Sequence, residues 1–315
     1  QLSCENGIWL DASKQTVELD DYLDRQTDRL KNGTLIRELE SNLFDSTQLL
    51  MHKRATLAAS GTKPFEFSLQ RKHLPDQLPP GWTITSTSTS SSDNVEITAN
   101  DSFDVLLKCY RAAPVNSAGQ LPSGFDPASL YASRNHPRGL QLTVYGASDA
   151  IQSLGISWQD VRDRVPADQI SIYASSAMGQ LDTNGSGGML QSGLMGKRVS
   201  SKNLALGLAQ MTADFVNAYI LGSVGSTGAN IGACATFLYN LRQGIGDIRS
   251  GKFRAVLVGS SEAPLTPDVI EGYRTMGALA EDEALKKLDG YESKEPDYRR
   301  ACRPFAENCG FTLSE

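Results

Sequence analysis

The residue types best suited to covalent chemistry lie in one run, GANIGACATFLYNLRQGIGDIRSGKFRAVLVGSSEAP, from Gly228 to Pro264. Ala229 to Ala233 reads as a brief strand through small residues, and Cys234 opens a helix predicted to reach about Arg249. Phe237, Leu238, Leu241, Ile245 and Ile248 recur at helical spacing and mark the face expected to be buried. A thiol in the first turn of a helix meets unpaired N–H groups and the positive end of the dipole, which favour the thiolate. The thiolate is a nucleophile, and the neighbouring N–H groups can bind the oxyanion of an attacked thioester. Small residues around the turn would leave room for a substrate. A bland reading competes: a free cysteine is often a small buried hydrophobe. Strand, cysteine and helix alone do not separate catalysis from burial.

Other reactive residue types are sparse. The remaining cysteines, Cys4, Cys109, Cys302 and Cys309, are scattered and bring the total to an odd five, so neither a disulfide framework nor a zinc set fits. Cys302 and Cys309 stand seven apart with no further ligand type nearby. His52, His73 and His136 show no metal-ligand spacing, and His136 reads as part of an ordered Asn-His-Pro-Arg loop. The Gly-rich stretch 184–188 (NGSGG) is neither a phosphate loop nor a dinucleotide fingerprint and is expected to be a flexible loop.

These residues need elements to position them. From about Asn116 the chain alternates strand and helix: a helix over 139–155 stopped by Gly155, a buried strand Gln169 to Ala174, a helix Thr212 to Leu221 ended by Gly222, and a strand Phe253 to Val258. Such alternation implies an α/β fold with a largely parallel sheet. Residues 1–115 differ. Leu23, Leu30, Leu35, Leu39 and Leu43 predict a helix over Asp20 to Met51. Phe65 to Leu69, Val95 to Thr98 and Val105 to Leu107 read as strands of a small β element. The Ser/Thr tract from Thr85 is expected to form a hairpin tip. Two domains are expected: a 1–115 extension and a 116–315 core.

Bulk properties exclude several classes. The 315 residues carry a net charge of −6 without a basic, aromatic-interleaved segment, which gives nucleic acid no footprint. No apolar run is long enough for a bilayer, and the opening residues lack the features of a secretory signal. A reducing cytoplasm suits the cysteine pattern.

Three segments read together, GACATFLYN, VLVGSSEAPLTPDVIEGYRTMGALA and RPFAENCGFTLSE, resemble the β-ketoacyl-acyl carrier protein synthase family. Ala233-Cys234-Ala235-Thr236 matches the family's active-cysteine turn, Gly259-Ser260-Ser261-Glu262 its following strand end, and Arg303-Pro304-Phe305 with Gly310-Phe311 its next motif. The resemblance implies a thiolase-like core, of which this chain would be the N-terminal half of a layered αβαβα fold, with a helical and small β extension. The stretches SAGQLPSGFDP and NHPRGLQ are similar to a long-form subgroup, some of whose members condense acetyl-CoA with malonyl-acyl carrier protein.

The implied chemistry is acyl transfer to Cys234, then decarboxylative condensation with a malonyl thioester. The family's two assisting histidines belong to motifs downstream of Glu315, so no catalytic role passes to His52, His73 or His136, and the sequence is expected to be a fragment. Glu262, which could pass for a general base, is expected to support the site through hydrogen bonds. The family implies no permanently bound cofactor, thioesters of CoA or carrier phosphopantetheine as substrates, an acyl carrier protein partner and a homodimer. Lys197, Arg198 and Lys202 could meet that acidic carrier, against the simpler reading of a solvated charged face. Competing functions are a silent partner subunit, disfavoured by the retained Cys234, and a thiolase-type acyltransferase, disfavoured by the Arg-Pro-Phe motif.

Overall fold

The computed structural model describes residues 3–5, 8–11, 13–58, 63–87, 93–288, 290, 295–304 and 310–315. Contacts divide the chain into two units, Gln1–Ser46 with Pro114–Glu315, and Thr47–Ala113.

In the larger unit the core elements follow in chain order: helix α1 (Arg138–Gln152), strand β1 (Ile170–Ser175), helix α2 (Met211–Val216), strand β2 (Thr227–Gly228), helix α3 (Thr236–Arg249) and strand β3 (Ala255–Ser260). The strands form a parallel sheet in the order β2-β1-β3. All six residues of β1 are buried, as expected for a strand covered on both faces. Successive side chains point to opposite faces. Ile172 and Ala174 pack with Ile151 of α1, Ala213 and Val216 of α2, and Leu221. Tyr173 and Ser175 point the other way and bond to Asp247 and Asn240 of α3. The result is helix, sheet and helix in three layers. After α2 the chain makes a wider turn, Asn217–Leu221, closed by Gly222 at φ +60°, a left-handed position that glycine fills without strain.

Two expectations for this unit are corrected. The N-terminal helix ends at Gly33 rather than near Met51 (it spans Leu19–Gly33), and Ile36–Glu38 is a strand paired antiparallel with Ser117–Gly119. Leu39 joins Val115, Ala118, Leu265, Ile270 and Leu279 in a second core cluster. The leucine spacing mimicked a longer helix because strand pairing across some eighty residues leaves no mark on local periodicity. Ser186–Gln191, expected to lie in a loop, is a short helix. A Cβ at Gly185, Gly187 or Gly188 would collide with the carbonyls of Gln180, Leu181 and Thr183. The glycines permit a close backbone approach and are not a sign of looseness.

Among its described residues the smaller unit is mainly β, with one short helical turn at Arg71–His73. Leu49–Leu57 pairs antiparallel with Phe103–Arg111 over nine residues, and Phe65–Gln70, Asn94–Ala99 and Trp82–Thr87 form a three-stranded sheet with Asn94–Ala99 at its centre. Val95, Ile97 and Ala99 alternate into its core. Phe103 packs on Trp82, Phe65 and Phe67. The middle of the expected Ser/Thr hairpin tip, residues 88–92, lies outside the described residues. No helix among the described residues is long and apolar enough to cross a membrane.

Candidate active site

β2 ends at Gly228, earlier than the strand expected over Ala229 to Ala233, and α3 begins at Thr236 rather than at Cys234. Cys234 therefore sits in a tight turn just ahead of the helix, with its thiol exposed. Thr236 closes that turn. Its hydroxyl accepts from the Gly232 N–H at 3.1 Å and donates to the Ala233 carbonyl at 2.6 Å, while the Ala235 N–H reaches the Gly232 carbonyl. Ala233 has φ +49°, a conformation that costs an L-residue roughly 1–2 kcal/mol. Cys234 is exposed beyond the carboxyl end of the sheet, and the hydroxyl of Ser175, the last residue of β1, donates to the Asn230 carbonyl of the loop leading to it at 2.8 Å. Gly232 does not leave open space: a Cβ there would run into the Tyr239 ring.

The buried face of α3 is also corrected. Thr236, Asn240, Gly244 and Asp247 face the sheet, while Phe237, Leu238, Ile245 and Ile248 are exposed, Leu238 at 60%. Helix and sheet approach closely at Gly244, where a Cβ would press on Val258 and Val256. Small and hydrogen-bonding residues fit this contact better than the large apolar stripe. Sequence reasoning missed Asn240 and Asp247. Their signal was present, as polar or small residues at spacings of four, four and three, and the apolar stripe outweighed it.

Asp247 accepts the Tyr173 hydroxyl at 2.5 Å and the Gln243 amide at 3.0 Å. The Tyr173 bond is the main force holding the Asp247 carboxyl below the usual carboxylate range. Burial and the Asp247 bond both raise the Tyr173 hydroxyl. Beyond β1, Ser176 donates to Glu262 Oε2 at 2.9 Å, and the Ala177 N–H donates to the other oxygen. Burial raises the Glu262 carboxyl, and these donors act against that rise. All of its bonds bind one loop to another.

The histidines are not brought to Cys234 by any bond. His52 and His73 belong to the smaller unit. His136 packs edge-on to Phe215 and lies 3.3 Å from the Tyr131 hydroxyl, and its carbonyl accepts from Gln141 and Asn184. Burial lowers the His136 imidazole and pushes the Tyr131 hydroxyl up to about 12. Beside them, Arg134, Lys202 and Leu206 line a cavity of about 710 Å³. Lys197 and Arg198 are exposed. Among the described residues no group of three His, Cys, Asp or Glu could hold a metal ion.

Of the remaining cysteines, Cys109 is half-buried in the smaller unit and Cys302 is exposed. Phe305 and Cys309 lie outside the described residues. Around them the segment is tied down: the Arg303 N–H donates to Gly310 and the Ala280 N–H to Phe311. Glu315, nearly buried, accepts from Arg138 Nε at 2.8 Å and from the Leu121 N–H at 2.9 Å.

This arrangement of turn, helix and sheet is shared with known proteins. The family description "Beta-ketoacyl synthase, N-terminal domain" matches residues 92–315. The chain belongs to the β-ketoacyl synthase family. The β-ketoacyl-[acyl-carrier-protein] synthase FabY of Pseudomonas aeruginosa is 46% identical over 314 residues, covering 100% of this chain and 49% of that protein. The crystal structure of the FabY ketosynthase from P. aeruginosa superimposes with a TM-score of 0.83, covering 99% of this chain and 48% of that one. The 3-oxoacyl-[acyl-carrier-protein] synthase 2 of Staphylococcus aureus (strain N315) is 27% identical over 187 residues, covering 58% of this chain and 40% of its own. The chain thus spans half or less of the length of these relatives. The fold is the α/β thiolase-like core of a ketosynthase.

Proposed function

We propose that the protein containing this chain is a β-ketoacyl-acyl carrier protein synthase of fatty acid biosynthesis in which Cys234 accepts the acyl group. The observation that carries the reading is the exposed thiol of Cys234, on a left-handed turn at the carboxyl end of a parallel sheet. Such ends are where α/β folds bind substrates. The Cys234 thiol gives up its proton and its sulfur attacks the carbonyl of an acyl thioester. The thioester's C–S bond breaks, and the departing thiolate of the carrier or CoA takes up a proton in return. A malonyl thioester then loses carbon dioxide, and its enolate carbon attacks the acyl-cysteine carbonyl. A carbon–carbon bond forms and the cysteine thiolate departs. No part in decarboxylation is proposed for His52, His73 or His136, and His136 packs against Phe215 and Tyr131.

The acyl carrier protein is the proposed partner, met by the exposed cations Lys197, Arg198 and Lys202, with acetyl-CoA an alternative acyl donor. The enzyme is proposed to act in the cytoplasm as a homodimer, with no resident cofactor. Incubation of the whole protein with radiolabelled acetyl-CoA, and separately with octanoyl-carrier protein, tests the assignment by mass spectrometry. The expected result is label on Cys234, lost in Cys234→Ala. Label elsewhere, or none from either donor, would overturn it. Changing Lys197 and Lys202 together to Glu should raise the apparent KM for carrier-linked substrate several-fold and that for acetyl-CoA much less.

A further inference from the structure

We infer that Asn240 is a positioning residue: its buried side-chain amide replaces the missing strand ladder that would otherwise hold the loop leading into Cys234. β1 and β2 pair at only two positions, Ile172 with Thr227 and Tyr173 with Gly228. Continuing this register two residues further sets Ser175 beside Asn230. No strand pairing exists there, yet the Ser175 hydroxyl donates to the Asn230 carbonyl at 2.8 Å. Asn240 supplies the rest. Its Oδ1 accepts from the Asn230 N–H at 2.9 Å and from Asn230 Nδ2 at 3.3 Å. Its Nδ2 donates to Ser175 Oγ at 2.9 Å and to the Gly259 carbonyl of β3 at 3.0 Å.

Asn240 is 0% exposed and uses two donors and two acceptor sites, the full capacity of an amide. Its orientation is fixed, because a flip would set oxygen against the Gly259 carbonyl and nitrogen against the Asn230 N–H. One side chain thus joins β1, β3 and the loop, four residues ahead of the thiol. Thr236 holds the strained backbone at Ala233 from the helix side, and Asn240 holds the loop that leads into it after β2 ends at Gly228. Loss of the amide lets the loop, and Cys234 with it, shift while substrate contacts elsewhere stay in place.

The proposal rests on the assignment of Cys234 as acyl acceptor, and the test keeps the two apart. In the whole protein, with acetyl-CoA as acyl donor, Asn240→Ala and the isosteric Asn240→Asp should lower kcat on the order of 10- to 100-fold with KM nearly unchanged, the signature of a displaced reacting atom. Ser175→Ala should show the same split to a smaller degree and add little in the double variant; it carries the test if the Asn240 variants do not fold. Gly244→Ala, which strains the same helix against the sheet without touching the loop, should lower Tm and leave kcat intact. Wild-type kcat in a folded Asn240 variant, or kcat falling in Gly244→Ala in step with Tm, overturns the positioning role. If Cys234→Ala still turns over, the acyl-acceptor assignment fails and this role with it. If Cys234→Ala is dead while Asn240→Ala is fully active, only the positioning role fails.

Discussion

At the scale of single residues, Ala233 and the Tyr173–Asp247 pair show how the site region is held. Ala233 tolerates its left-handed φ because its side chain is small, whereas a β-branched residue would not. Ala233→Val should lower stability by about 1–2 kcal/mol in urea denaturation. Tyr173 and Asp247 are both nearly buried, and a hydrogen bond to a charged group contributes about 1.5–3 kcal/mol. The Asp247 carboxyl is held below its ordinary value chiefly by that bond, so the unfolded chain takes up its proton first as pH falls. The stabilisation is complete above the ordinary aspartate value and disappears as pH drops through the lowered folded one. Tyr173→Phe should therefore cost most near pH 7, and its deficit in urea titrations should shrink toward the acid end of the range.

At the scale of elements, α3 decides how the thiol is presented. Its inward face is built for close approach, with Gly244 against Val256 and Val258 and polar residues bonded to the sheet. Gly244→Ala gains up to about 1 kcal/mol of helix propensity and loses about 1–3 kcal/mol to overpacking. A net fall in Tm is expected in thermal melts. Much of the surrounding order was legible beforehand: Gly155 and Gly222 marked helix ends, and the β1 strand showed as a short apolar run. The buried face of α3 was not legible in its apolar residues. Phe237, Leu238, Ile245 and Ile248 have helical spacing, but spacing says which residues share a face and not which face meets the sheet.

At the scale of the whole molecule, the chain leaves the larger unit after Ser46 and returns at Pro114. Residues 1–46 group with the core and not with the β unit that follows them, through pairing of Ile36–Glu38 with Ser117–Gly119. The smaller unit has its own buried centre at Val95, Ile97 and Ala99. Ile97→Ala should destabilise that unit by about 2–4 kcal/mol. Hydrogen exchange should then show faster exchange for amides of Asn94–Ala99 and its neighbours, with those of β1 and α3 unchanged. Equal acceleration in both units would contradict separate cores.

The sequence by itself determined the α/β class, the approximate positions of most core strands and helices, and the three motifs that mark the β-ketoacyl synthase family. These are local properties: hydrophobic period, helix stops and short strings of residues. Tertiary structure alone decided that the N-terminal segment leaves its helix at Gly33 to pair with a distant strand, that α3 turns Asn240 and Gly244 inward, and that Cys234 stands outside the helix on a strained turn. The first two depend on partners far away in the chain, and the third on a backbone conformation that Thr236 closes. Backbone pairing and side-chain amide bonds across such distances follow from three-dimensional approach, which no periodicity in one segment records.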